Sequence, residues 1–320
     1  MRASFSALVL VVVSVMAGCK DAPEPVPDVT SEPQSARDAA LEAARQALEK
    51  GVPDEAIARM APIVRERPDD YDARVMLARG EALAEQYEAA LKDANLALAI
   101  NAKRVDAWLT KSVALAGLGE EKQAIEAAER ALEKAPNHEG VMRHLAALYG
   151  MTGATPKQKE LLEKLVALSD RETVSRVLLA RIALAEGDTP AAERLARRVV
   201  ELDPHFTEAQ IMLAALAYDR DDYATALERT RIALTSNPDN ETAHTLLEAS
   251  FYVTVAAELT CAVGERPWQD DATAAVLSRV RDRYELTGVS TFYDLDETYG
   301  SRDDVQTRIA RAAKKLCPDK

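Results

Sequence analysis

Aromatic side chains are scarce: 4 Phe, 2 Trp and 9 Tyr make up 5% of 320 residues. Large rings usually fill a thick globular core, so their shortage argues against one; abundant alanine suits helices packed in thin layers. No run of strand-like alternation stands out, and the composition reads as all-α. The length fits two ordinary domains or one long repeat array. Histidine is also rare, and His138, His144, His205 and His244 share no metal-ligand spacing such as HExxH. There is no phosphate-cradling glycine loop, nucleophile elbow or CxxC pair, so neither a metal nor a cofactor is implied. Positive charge is in deficit, with 40 Lys and Arg against 53 Asp and Glu. An acidic surface of this kind repels nucleic acid and anionic headgroups, which excludes both as partners.

The first residues have their own logic. Arg2 is a short positive region, Ala7 to Met16 is apolar except for Ser14, and Met16-Ala17-Gly18-Cys19 follows. The apolar run is shorter than the roughly 20 residues a membrane-spanning helix needs, which favours a signal peptide over residues 1–18. The four residues ending in Cys19 resemble the bacterial lipobox, with Met16 where Leu is commoner. The resemblance implies that Cys19 becomes a lipid-bearing N-terminus, and the alternative is an ordinary secretory signal with an incidental cysteine. Several acyl chains on one residue would anchor stably, because each buried CH₂ contributes about 0.8 kcal/mol. Lys20 is not the Asp that marks inner-membrane retention in enteric-type lipoproteins, so the resemblance favours the outer membrane, facing the periplasm. Residues 19–36 are rich in Pro, Glu and Asp and read as a disordered tether. The membrane would be met through the lipid alone.

Pro68, Pro136, Pro204 and Pro238 are spaced by 68, 68 and 34 residues, all multiples of 34. Placing this proline at position 32 defines six units over residues 37–240, starting at Arg37, Tyr71, Val105, Glu139, Thr173 and Thr207. In that register position 8 is always small: Ala44, Ala78, Ser112, Ala146, Ala180 and Ala214. Position 20 is Ala56, Ala90, Ala124, Ala192 and Ala226, with Gln158 as the exception in the fourth unit. Gly51, Gly119, Gly153 and Gly187 fall at position 15, where a left-handed turn favours glycine. Proline stops the second helix, and Asp69, Asn137 and Asp239 are placed to cap the next one. A helix pair of this length cannot bury its apolar face alone, whereas stacked pairs share one core. The pattern resembles the tetratricopeptide repeat, with Trp108 at position 4 and Leu77, Leu145, Leu179 and Leu213 at position 7. The resemblance implies an all-α, right-handed superhelical solenoid of about six helix–turn–helix repeats.

Residues 241–320 read as a helical cap. Glu241 to Leu259 closes the stack, Asp271 to Leu286 is amphipathic up to a stop at Gly288, and Ser301 opens a capping box before a last helix. Cys261 and Cys317 are the remaining cysteines. In an exported chain they invite a disulfide, with two free buried thiols as the alternative; a zinc site lacks ligands. Phe292-Tyr293-Asp294-Leu295-Asp296-Glu297-Thr298 resembles the nucleophile motif of haloacid-dehalogenase-type phosphatases. That chemistry needs a parallel sheet and further motifs downstream, and only 22 residues follow Thr298. An acidic surface loop is the better reading, and no enzymatic activity is expected.

In tetratricopeptide arrays the first helix of each repeat lines a concave groove, chiefly through positions 2, 5, 6, 9, 12 and 13. The corresponding row here is Val75, Met76, Arg79 and Leu83; Leu109, Thr110 and Val113; Arg143, His144 and Met151; Val177, Leu178 and Arg181; then Ile211, Met212 and Tyr218. Position 5 carries Val75, Leu109 and Val177, so the family's carboxylate clamp, which needs Lys there, is absent. The row implies recognition of an apolar or amphipathic segment of a cell-envelope protein, oriented by Arg pairing with carboxylates. The expected function is a lipid-anchored scaffold for pilus, secretion or polysaccharide-export assembly, resembling the outer-membrane pilotins of type IV pili. The alternatives are a general periplasmic holdase and a hydrolase using the C-terminal region.

Overall fold

The computed structural model describes residues 32–264, 270–286 and 292–318, which hold sixteen α-helices and no strand. The signal segment, Cys19, residues 20–31 of the tether and Gly288 lie outside the described residues. The chain divides into two compact units after Asp170.

The first unit contains α1 (Glu32–Glu49), α2 (Pro53–Glu66), α3 (Tyr71–Leu83), α4 (Tyr87–Ile100), α5 (Val105–Gly117), α6 (Glu121–Lys134), α7 (Glu139–Met151) and α8 (Thr155–Leu168). The second contains α9 (Thr173–Ala185), α10 (Thr189–Leu202), α11 (Thr207–Asp219), α12 (Tyr223–Ser236) and α13 (Glu241–Val263). It ends with α14 (Asp270–Tyr284), α15 (Phe292–Tyr299) and α16 (Asp303–Leu316). From α3 through α11 each first helix starts 34 residues after the one before, at the unit boundaries read from the prolines. The second helices hold the same step, and α13 begins in register as a seventh. One boundary moves. α1 starts at Glu32, so residues 32–36 are helical and not tether; Pro33 lies in the first turn, where its missing N–H costs no bond.

Close packing explains the alanines. Position 8 is buried in every hairpin, as are the alanines at position 20, because helices crossing there leave no room for a larger side chain. Gln158, the exception, lies over Gly150: a Cβ on that glycine would sit 2.5 Å from the amide nitrogen of Gln158. The larger residue at position 20 is thus matched by a missing side chain opposite.

Each hairpin turn ends its first helix the same way. The N–H three residues past the last helical residue bonds back five residues, as in Val52 to Ala47 (2.9 Å), Gln86 to Glu81 (2.8 Å) and Glu120 to Leu115 (2.9 Å). This arrangement puts position 15 in the left-handed region. Glycine fills it four times, but Glu85 (φ 60°) and Asp221 (φ 57°) occupy it in the second and sixth hairpins. A side chain there costs about 1 kcal/mol or more. Replacing Glu85 with glycine should therefore raise the stability of the first unit by about 1 kcal/mol. The reverse change, Gly119→Ala, meets no atom within 4 Å of its Cβ and should cost a similar amount through backbone conformation alone. Urea melts of both variants check the pair; a neutral Glu85→Gly would contradict the account.

The caps fall one residue later than the sequence placed them. Asp70, His138 and Asn240 accept the N–H of Ala73, Val141 and Ala243, because the acceptor must stand three residues before the free N–H. The last helix differs too: its N-cap is Arg302, with no side-chain cap bond, so Ser301 opens no capping box.

Candidate functional site

The residues singled out as groove-lining separate into two groups. Met76, Arg79, Leu83 and Arg143 in the first unit, and Leu178, Arg181, Ile211 and Tyr218 in the second, reach solvent wholly or in part. Met151 is exposed as well. Val75, Leu109, Val113, His144, Val177 and Met212 do not; all six are buried, as is Thr110. They belong to the packing between helices and not to a lining surface.

The reason lies in the neighbours. Val75 packs on Ala97 of the second helix in its own hairpin and on Ala107 of the next hairpin. Val177 repeats this arrangement with Val199 and Ala209, so position 5 is wedged between three helices. Position 6 points back: Met212 sits on Ala180 and Ala183 of the preceding hairpin. His144, at the same position, meets Ser112 with Nε2 and Oγ 2.8 Å apart.

That buried pair defines its own proton arrangement. The Ser112 hydroxyl donates to the carbonyl of Ala124 at 2.6 Å, so His144 must donate through Nε2–H. Its Nδ1 is then a lone-pair acceptor, and it has no partner among the described residues. Burial with nothing to support a second proton pushes the imidazole down to about 4. His144 is therefore a neutral core residue, and its contribution to stability falls as pH drops from about 6.5 toward 4.

The open lining is best seen on α9. Val174 at position 2 is 46% exposed and Leu184 at position 12 is 37% exposed, and both flank the accessible Leu178 and Arg181. The earlier row omitted these two, although an apolar residue at a lining position was a readable signal. Among the described residues nothing pairs with the Arg181 guanidinium, whereas Arg143 is held by Glu139 at 2.6 Å. On α11 the accessible Ile211 continues the apolar character of the second unit, whereas Tyr218 is partly buried against the C-terminal core cluster.

The matches to family models decide what these hairpins are. Tetratricopeptide-repeat models match residues 105–138, the third hairpin, and residues 183–249, about a third of the chain together. Those two stretches match the tetratricopeptide repeat, and the other hairpins share their 34-residue step. Among solved structures, PilF of Pseudomonas aeruginosa is similar in fold, with a TM-score of 0.59 at 16% identity, covering 67% of this chain and 98% of its own. A tetratricopeptide repeat protein from Parabacteroides merdae covers 77% of this chain and 99% of its own, with a TM-score of 0.52 at 15% identity. At these identities the likeness concerns the fold. No curated protein matches the sequence. Tetratricopeptide repeats bind protein or peptide partners.

The phosphatase-like motif has another role. Phe292 to Thr298 lies in helix α15, not in a surface loop. Asp296 accepts the hydroxyl of the buried Tyr252, and the Thr298 hydroxyl donates to the Asp294 carbonyl at 2.9 Å within the helix. On this helix Asp294 and Thr298 share one face while Asp296 points to the other, so the two carboxylates do not converge as a nucleophile pair would.

Cys261, at the end of α13, and Cys317, just after α16, are joined by a disulfide, with Cα atoms 5.9 Å apart.

Proposed function

We propose that this chain is a lipid-anchored scaffold of the bacterial envelope that holds an amphipathic segment of a partner protein on its repeat helices. The observation that carries the reading is on α9, where Val174, Leu178 and Leu184 stand accessible around Arg181, which pairs with nothing among the described residues. Apolar area left in water beside a cation fits a segment that is apolar on one side and bears a carboxylate. The lipobox-like residues before Cys19 support anchoring, and Lys20 supports the outer membrane, with the body in the periplasm. The likeness in fold to PilF supports the repeat architecture alone; the envelope setting, whether pilus, secretion or polysaccharide export, rests on the lipobox-like residues before Cys19.

Two measurements test this. Leu178→Asp should weaken capture of the partner from solubilised envelopes by about 30-fold or more, since a buried anchor contributes at least about 2 kcal/mol. Cys19→Ser should move the chain from the membrane to the soluble fraction. Unchanged capture by Leu178→Asp, with its helix content intact, would refute the binding face. Aggregation of many unrelated proteins suppressed equally by both forms would favour a general holdase.

A further inference from the structure

Within the second unit, the lining positions do not all stay open. Tyr218 holds position 12 of the sixth repeat, and Thr245 and Tyr252 hold positions 5 and 12 of the in-register helix α13. The chain's own last two helices touch all three. Tyr299 of α15 donates to the carbonyl of Thr245 at 3.4 Å. The Tyr252 ring stacks on Phe292 and Tyr299, with centroids 5.3 and 5.9 Å away. Arg308 of α16 lies 4.4 Å over the Tyr218 ring and donates to the Tyr218 carbonyl at 2.8 Å.

The seat is apolar along one side and polar at its end. Val305, Ile309, Ala312 and Ala313 form the buried stripe of α16, a strongly amphipathic helix. Arg308 and Arg311 both converge on Asp221, at 3.2 and 2.9 Å, the residue that holds the left-handed turn of the sixth repeat. The Cys261–Cys317 bond then ties the far end of α16 to the end of α13. Both sulfur-bearing residues are half-buried, within reach of a small thiol.

We propose that α15–α16 is a ligand held in cis on the lining positions of repeats six and seven, with the Cys261–Cys317 bond as its latch. The inference rests on reading those positions as a binding surface. Release is a two-electron step. A dithiol reductant attacks one sulfur and forms a mixed disulfide, and its second thiolate then closes on itself; the reductant leaves as a cyclic disulfide and two cysteine thiols remain here. With the latch open, α15–α16 departs, and Tyr218 and Tyr252 join Leu178 and Ile211 as surface for a partner's amphipathic helix. The bound tail models that partner: one apolar stripe flanked by charge.

The test uses the full chain, oxidised or treated with dithiothreitol, followed by hydrogen–deuterium exchange. Amides of residues 303–316 should exchange at least about tenfold faster after reduction, while residues 241–260 of α13 stay protected. Arg308→Ala should accelerate exchange of 303–316 further in the reduced protein and leave the oxidised protein unchanged. If α13 and α16 lose protection together, the tail is part of the cap core and the proposal fails. Full protection of α16 after reduction overturns it equally. The readout needs no partner, so either failure leaves the Leu178→Asp test of the scaffold reading standing.

Discussion

Replacing both Cys261 and Cys317 with serine should lower the stability of the second unit by about 4 kcal/mol. The bond closes a loop of sequence separation 56, and opening it returns that loop's freedom to the unfolded chain. This is a large share of the total for a domain, which is typically 5–15 kcal/mol. Equilibrium denaturation of wild type and variant under non-reducing conditions measures it. The denaturant slope carries further information. If α15 and α16 detach before the rest, the slope falls along with the midpoint, because less surface remains to be exposed in the main transition. A loss below 1 kcal/mol would show that the packing of Val305 and Ile309 on the α13 cluster holds the last helix without the bond.

The first unit should respond most strongly to Glu81→Gln, and the response should depend on pH. Glu81 is only 8% exposed, and its Oε2 has no partner among the described residues. Burial, reinforced by the nearby Asp93 carboxylate, pushes its pKa up to about 7. Asp93 cannot share a proton freely, since it is bonded to Arg74 at 2.5 Å. A carboxyl whose folded pKa lies above its unfolded value binds more protons when folded. Its contribution is complete below about pH 4.5 and is lost as pH rises through about 7. Glutamine keeps the shape and cannot ionise. At pH 8 the variant should be more stable than wild type by up to about 3 kcal/mol, and the difference should vanish near pH 4. Thermal melts across that range decide the matter. A variant that is less stable at pH 8 would mean that the Glu81 carboxylate has a compensating partner in solution.

His144 pulls the other way. Its contribution disappears as pH falls below about 6.5, so the two buried groups together confine the best stability of the first unit to a window between them. Neither was read correctly from sequence. Glu81 went unremarked, and His144 was assigned to the lining row from its position in the repeat alone. Both depend on what the adjoining helix brings close, Ser112 in one case and Asp93 in the other.

Elsewhere the sequence was highly legible where backbone geometry dictates residue type. Pro68, Pro136, Pro204 and Pro238 mark helix ends because proline cannot continue a helix, and the observed boundaries keep their spacing. Alanine at positions 8 and 20 reports close crossings for the same kind of reason. The lining surface was legible only in part. Val75 and Val177 look like the accessible Ile211 at the same repeat position, and residue type alone does not tell which of the three the neighbouring helices bury. Asp294, Asp296 and Thr298 read as a surface loop and are helical instead, because a short acidic helix docked by Tyr252 has little periodicity of its own. The caps at Asp70, His138 and Asn240 each came one residue after an equally suitable side chain, a choice made by the turn and not by residue preference.

The seventh in-register helix has a further consequence for how such a protein can change length. α13 begins on the 34-residue step but runs on to Val263 and is joined through Cys261 to Cys317, so among the described residues the step does not continue past it. Duplication of a module is tolerated only upstream of Glu241, in whole multiples of the period, where each new copy finds neighbours of its own kind on both sides.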